Sequence, residues 1–227
     1  MGFEYLTNVP LAQARKEYLE RLVSGGFGSK TETIPVFESC GRVTAKAVYA
    51  HICAPHYAAS AMDGVAVSAK ETFGATETTP VTLKPDQFLV LDTGDPIPED
   101  KDAVIMVEDI VKNGDGSITI HAAAAPWQHI RQIGEDVCAG EMILPSHMTV
   151  SPAAIGAMIA GGVLEIEVIR KPVVGIIPTG DEIIPPCTDP KPGDILEFNG
   201  SIFSAMVRSW GAEAVVYPIV PDKFDQI

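Results

Sequence analysis

The chain has 227 residues, 46% hydrophobic and 20% charged, which is enough apolar material for a core spread over one or two domains and too much for a disordered polymer. Its 16 basic residues against 30 acidic ones leave a formal net charge of -14, which argues against a broad basic face for nucleic acid or an anionic membrane. Any anionic ligand therefore needs a local donor cluster or a bridging cation.

The opening segment, MGFEYLTNVPLAQARKEYLERL, lacks the basic stretch and apolar core of a signal peptide, and no apolar run reaches membrane-spanning length. A cytoplasmic protein is expected. Cys40, Cys53, Cys138 and Cys187 follow no CxxC or Cys/His spacing, so they are expected to be free thiols packed as small hydrophobes rather than a metal site.

In chain order, Leu11, Ala14, Tyr18, Leu22 and Val23 recur at helical spacing, with Thr7 or Asn8 as cap, Pro10 in the first turn and Gly25-Gly26 as the stop. ETIPVFES reads as a short strand. From about residue 48 to 139 the texture changes to short alternating runs (VTLKP, FLVLDTG, AVIMVED, SITIHAA) divided by turn residues, which predicts a β-rich domain, barrel or sandwich. SPAAIGAMIAGG predicts a helix capped by Ser151 and ended by Gly161-Gly162, and LEIEVIRK a half-exposed strand.

Because helical segments flank the β-rich stretch, residues 1–47 and 140–171 are expected to form one elongated domain with residues 48–139 inserted as a barrel-like domain. After Pro172, the wholly apolar VVGII reads as a parallel strand covered on both faces. A helix through SIFSAMVRSW, capped by Asn199, and the strand AEAVVYPIV complete a βαβ unit. Residues 172–227 are thus expected to be the opening of a larger α/β domain. The fold class expected is a multidomain α+β chain ending in the first unit of a Rossmann-like domain.

Five polar turns can carry chemistry. Ser60-Ala61-Met62-Asp63-Gly64 sets one carboxylate among tiny residues: Asp63 either serves a ligand or a hard cation, or closes an ordinary Asx turn. Thr93-Gly94-Asp95-Pro96 offers a hydroxyl beside a glycine, and Arg131, Glu135 and Asp136 gather around Gly134; each can be a binding loop or simply a turn. Thr179-Gly180-Asp181-Glu182 follows an apolar strand, where open α/β sheets collect ligands. Asp222 ends the next strand, which makes Glu182 and Asp222 expected neighbours able to share Mg²⁺. The five histidines have no partner at motif spacing, so no triad is assigned, and no GxGxxG or Walker loop is present.

Taken in order, SAMDGVAV, TGDPIPEDKDAVIMVED, IRQIGEDVCAGE, VVGIIPTGDE, GDILEFN and IVPD resemble the MoeA/gephyrin E-domain family of molybdenum insertases. The resemblance implies transfer of molybdate onto the dithiolene of adenylylated molybdopterin (molybdopterin-AMP), with a divalent cation such as Mg²⁺ and release of AMP, by an elongated homodimer whose site lies between domains of two protomers. It implies site roles for Asp63, Thr93, Asp136, Glu182 and Asp222, with Asp63, Glu182 and Asp222 as catalytic acids and Glu182 and Asp222 as metal ligands. Ser60, Thr179, Gly180 and Asp181 stand beside them in the same turns as substrate-binding positions.

Two positions depart from the family pattern: Ala59 stands where the family often has Asn, and Val65 where it has an aromatic residue. The family's later glycine-rich phosphate segments are not reached before Ile227, so the 227 residues are expected to be an incomplete, inactive part of a longer enzyme. The alternative is a non-catalytic scaffold or dimerisation module of the same family.

Overall fold

The computed structural model of the chain describes residues 8–28, 30–223 and 225. They form a strand-rich α+β structure whose contacts divide into two units. One unit holds the residues up to Lys46, Ser146–Ser151 and everything from Glu165 onward; the other holds Ala47–Pro145 and Pro152–Leu164. The segment 140–171 is thereby shared between both units.

In the Ala47–Pro145 unit, strand Gly64–Val67 lies between Phe88–Leu91 and Ala103–Met106, antiparallel to both, with Gly64 opposite Leu91 and Met106. Side chains of a strand alternate between faces, so Val65 and Val67 enter one core while Ala66 enters another. This explains the run of four apolar or small residues: the strand is buried on both faces. A second antiparallel sheet, with Ile118–Ile120 between Val81–Leu83 and Ile110–Lys112, presents Leu83, Ile118 and Ile120 to the same core as Val65 and Val67. Each such fully buried aliphatic side chain contributes about 1.5–3 kcal/mol relative to exposure.

The expected barrel is not formed. Closure requires the first and last strands to pair, whereas both three-stranded sheets end on unpaired edges, where Val90 and Val111 are exposed. Strands of three or four residues separated by frequent turns are too short to wrap round. Helix Pro152–Ala160 belongs to this unit and buries Ala154 and Met158.

In the other unit, Thr31–Pro35 pairs antiparallel with Glu165–Ile169, and the alternation of LEIEVIRK is realised as buried Ile166 and Val168 between more exposed neighbours. The strand predicted over ETIPVFES stops at Pro35 and gives way to a single tight turn, Val36–Glu38. Helix Leu11–Ser24 starts later than a cap at Asn8 would place it: Pro10 occupies the cap position and makes no side-chain bond. Thr7, the other predicted cap, lies outside the described residues. No residue of this helix is buried, so the apolar stripe Leu11, Tyr18 and Val23 faces outward along with the charged side.

Val173–Ile176 runs parallel to Glu213–Val216 with helix Asn199–Ser209 between them in sequence, the predicted strand, helix, strand order. The strand is not covered on both faces as its composition suggested; Val173 is 57% exposed. Between that strand and the helix lies a further short parallel pair, Ile183–Ile184 with Ile195–Leu196. Asn199 does not cap the last helix. It is the first helical residue, and the Glu197 carboxylate instead accepts the Gly200 N–H at 2.6 Å, placing negative charge on the positive helix end.

Candidate functional site

Asp63 sits where the turn after Ala59–Ser60 feeds strand Gly64–Val67, and the Val107 N–H donates to its carbonyl at 3.0 Å. The strand register therefore fixes its backbone. Its side chain is fixed from another segment: the Thr93 N–H and the Thr93 hydroxyl both donate to Asp63 Oδ1, each at 2.7 Å. The hydroxyl bond, then the backbone bond, hold the carboxyl below its ordinary value, against a small opposing effect of desolvation. Asp63 is thus an ionised acceptor with one oxygen engaged by Thr93.

Two further bonds tie this turn in place. Gly94 N–H donates to the Ser60 carbonyl at 2.9 Å, and Ser60 N–H donates to the Asp95 carbonyl at 2.9 Å. Ser60 itself is fully buried and its hydroxyl donates to the Met62 carbonyl at 2.6 Å. The serine predicted as a binding residue therefore shapes the loop that presents Asp63. Tyr57, which the sequence reading passed over, clamps the same turn by donating its hydroxyl to the Gly94 carbonyl at 3.0 Å. No spacing rule signals it, since the partner is 37 positions away.

Asp136 joins through pairing. Ile130–Arg131 lies antiparallel to Ala59–Ser60, and Arg131 Nη2 donates to both oxygens of Asp136 at 2.7 Å, with Glu135 at 3.7 Å from Arg131 Nε. The Asp136 carboxylate is therefore neutralised by Arg131 rather than bare. Asp136 N–H also donates to the Ala54 carbonyl at 2.9 Å, so Ser60, Asp63, Thr93 and Asp136 are linked through a continuous set of bonds within one unit.

Glycine at 134 leaves room for sulfur: a side chain there would meet Cys138 Sγ at 2.8 Å and Cys53 Sγ at 3.6 Å. All four cysteines are free, but Cys40, Cys138 and Cys187 are exposed, which corrects the expectation that they pack as buried hydrophobes.

The second group lies in the other unit. Thr179 and Val220 form a parallel bridge, Gly180 N–H donates to the Val220 carbonyl at 3.1 Å, and Asp222 N–H donates to Asp181 Oδ1 at 3.3 Å. The strand ends thus bring the Thr179–Glu182 turn beside Asp222, but it is Asp181, not Glu182, that bonds Asp222. Gly180 has φ +150, and a side chain would collide with Ile183 Cγ1 at 2.8 Å, so the turn requires glycine. Asp181, Glu182 and Asp222 are exposed. No group of three or more metal-ligating side chains converges among the described residues, so Glu182 and Asp222 form no complete protein cage. Exposed carboxylates in ones and twos are the donor set that Mg²⁺ uses where substrate phosphate and water complete its shell.

With both groups described, comparison with known proteins places the chain. A family model described as MoeA N-terminal region (domain I and II) matches residues 9–162. The chain belongs to this family. Molybdopterin molybdenumtransferase 2 of Mycobacterium tuberculosis is 35% identical over 210 residues, covering 86% of this chain and 52% of that protein. Molybdopterin molybdenumtransferase of Haemophilus influenzae is 31% identical, covering 93% of this chain and 54% of that protein. The crystal structure of a molybdopterin biosynthesis MoeA protein from Pyrococcus horikoshii superposes with a TM-score of 0.80 at 29% identity, covering 97% of this chain and 59% of that one. The chain spans about half the length of the curated relatives it matches. No helix among the described residues of this MoeA-family chain is long and apolar enough to cross a membrane.

The Asp63 arrangement makes a direct prediction. With its folded pKa depressed, Asp63 contributes stability that is present above the ordinary carboxylate range and is lost as pH falls through the depressed value. In a ¹³C-carboxyl titration Asp63 should protonate below a free aspartate, and Thr93→Val, which removes the larger of its two bonds, should move that titration back up. An unchanged titration in Thr93→Val would show that the hydroxyl bond does not form.

Proposed function

We propose that the protein acts in molybdenum cofactor biosynthesis, inserting molybdate into adenylylated molybdopterin with release of AMP, as a homodimer in the cytoplasm. The observation that carries the reading is the ionised Asp63 held open by Thr93 within the matched family region, supported by the names of the relatives. A carboxylate with one oxygen occupied and the other available is suited to accept a pterin N–H. Bare acids repel molybdate and pyrophosphate, so the pairing of Asp136 with Arg131 keeps that neighbourhood from being purely anionic.

In this reading Ser60 and Thr93 set the geometry of the substrate loop, and the Thr179-Gly180-Asp181 turn lies on the phosphate side of the substrate, with the Gly180 N–H committed to the Val220 carbonyl. Glu182 and Asp222 would hold Mg²⁺, which would supply charge neutralisation at the substrate phosphate. Two carboxylates alone would leave the rest of its coordination shell to phosphate oxygens and water. Glu197 already occupies the N-terminus of helix Asn199–Ser209, so that helix end is not assigned to phosphate.

The test uses the full-length natural protein carrying Glu182→Gln or Asp222→Asn, with AMP release from adenylylated molybdopterin followed as Mg²⁺ is varied. Both variants should need more Mg²⁺ for half-maximal rate. A Mg²⁺ dependence identical to wild type would remove these residues from the metal role.

A further inference from the structure

The chain carries 30 acidic residues and only 16 basic ones, yet four of the basic residues, Arg21, Lys30, Arg170 and Lys171, line a single cavity of about 550 Å³. All four are exposed, and among the described residues none of them forms an ion pair. Like charges around one concavity repel, and a protein this rich in carboxylates has partners to spare for them. The remaining wall is apolar, with Leu22, Phe27 and Ile169, and Phe27 is 58% exposed.

The walls are set by backbone bonds. Phe27 N–H donates to the Leu22 carbonyl at 2.9 Å and Gly25 N–H to the Arg21 carbonyl at 2.9 Å, which fold the turn after helix Leu11–Ser24 back onto its end. Arg170 N–H donates to the Lys30 carbonyl at 2.9 Å, continuing the pairing of Thr31–Pro35 with Glu165–Ile169 by one step. Three separate segments therefore bring the four basic residues around one cavity within one unit. None of these residues belongs to the two groups assigned to molybdenum chemistry.

We infer that this cavity binds a small organic phosphate with an apolar, ring-bearing body. Arginine and lysine heads match phosphate oxygens, an open phenyl ring offers a stacking face for the body, and the volume lies in the range of small-molecule pockets, roughly 300–1,000 Å³. Inorganic phosphate would use only the charged half of the cavity.

The probe is phenyl phosphate, titrated into the whole chain and followed by ¹H–¹⁵N shifts. Saturable shifts should concentrate at Leu22, Phe27 and Ile169, and inorganic phosphate should bind about tenfold more weakly, the factor produced by losing about 1.4 kcal/mol of ring contact. Arg170→Gln combined with Lys171→Gln should weaken phenyl phosphate by at least about tenfold. Both sites are exposed, so the variant should keep the wild-type melting temperature. Lys112→Gln, an exposed lysine of the other unit, should change nothing. Shifts scattered over the chain, equal affinity for inorganic phosphate, or unchanged binding by the double variant would each overturn the assignment.

Discussion

Gly64→Ala is expected to lower stability by about 3 kcal/mol, the upper end of what forced overpacking usually costs. A Cβ at this position would lie 2.0 Å from the Ile105 carbonyl oxygen and 2.9 Å from its carbon, so backbone, not a movable side chain, has to give way. Gly64 pairs with Leu91 on one side and Met106 on the other, leaving the central strand no direction in which to retreat. Against a typical domain stability of roughly 5–15 kcal/mol the loss is large. A urea midpoint shifted down with an unchanged slope is the expected result. Gly94→Ala is the control: it has φ +95 but nothing within 4 Å of a Cβ, so it should cost only the left-handed strain of about 1–2 kcal/mol. Equal midpoints for wild type and Gly64→Ala would show that the strands do not approach this closely.

Asp63→Asn is expected to reduce AMP release by the full-length protein by about 10- to 100-fold, the scale of losing a hydrogen bond to a charged acceptor, about 1.5–3 kcal/mol. The substitution keeps shape and leaves an oxygen able to accept from Thr93, but it removes the charge and makes the second atom a donor. A pterin N–H that meets a donor is repelled. Because Asp63 is exposed and its main chain is held by the Val107 N–H, the fold should survive, and the melting temperature should barely move. Folded protein with undiminished turnover would reduce Asp63 to a turn residue and favour a scaffold role for the chain.

Much of the secondary structure was legible because it rests on local pattern. The alternation in LEIEVIRK, the proline and glycine pair that bracket helix Pro152–Ala160, and the strand, helix, strand order after Pro172 all appear where sequence placed them. Local pattern misled where burial depends on distant partners. The run at Val173 predicted cover on both faces that the described residues do not supply. Likewise, alternating runs in residues 48–139 announced β structure, but whether such sheets close depends on which strands become edges, and that is set by long-range pairing.

The site was legible as residue types and motif order, not as contacts. Thr93 and Asp63 stand 30 positions apart, so nothing in their spacing announced that one threonine supplies both bonds to one carboxylate oxygen. Similarly, Arg131 was visible beside Asp136, but its bidentate grip on both oxygens, which removes Asp136 from the set of bare acids, is a matter of side-chain geometry. The closeness of Cys53 and Cys138 around Gly134 bridges 85 positions and has no sequence signature.

The most direct test of the account is AMP release by the full-length wild-type protein from adenylylated molybdopterin, measured with and without molybdate and paired with assay of the molybdenum cofactor formed. AMP should be released together with cofactor, only when molybdate is present. AMP released equally without molybdate, or no AMP and no cofactor from folded protein supplied with Mg²⁺, would contradict it.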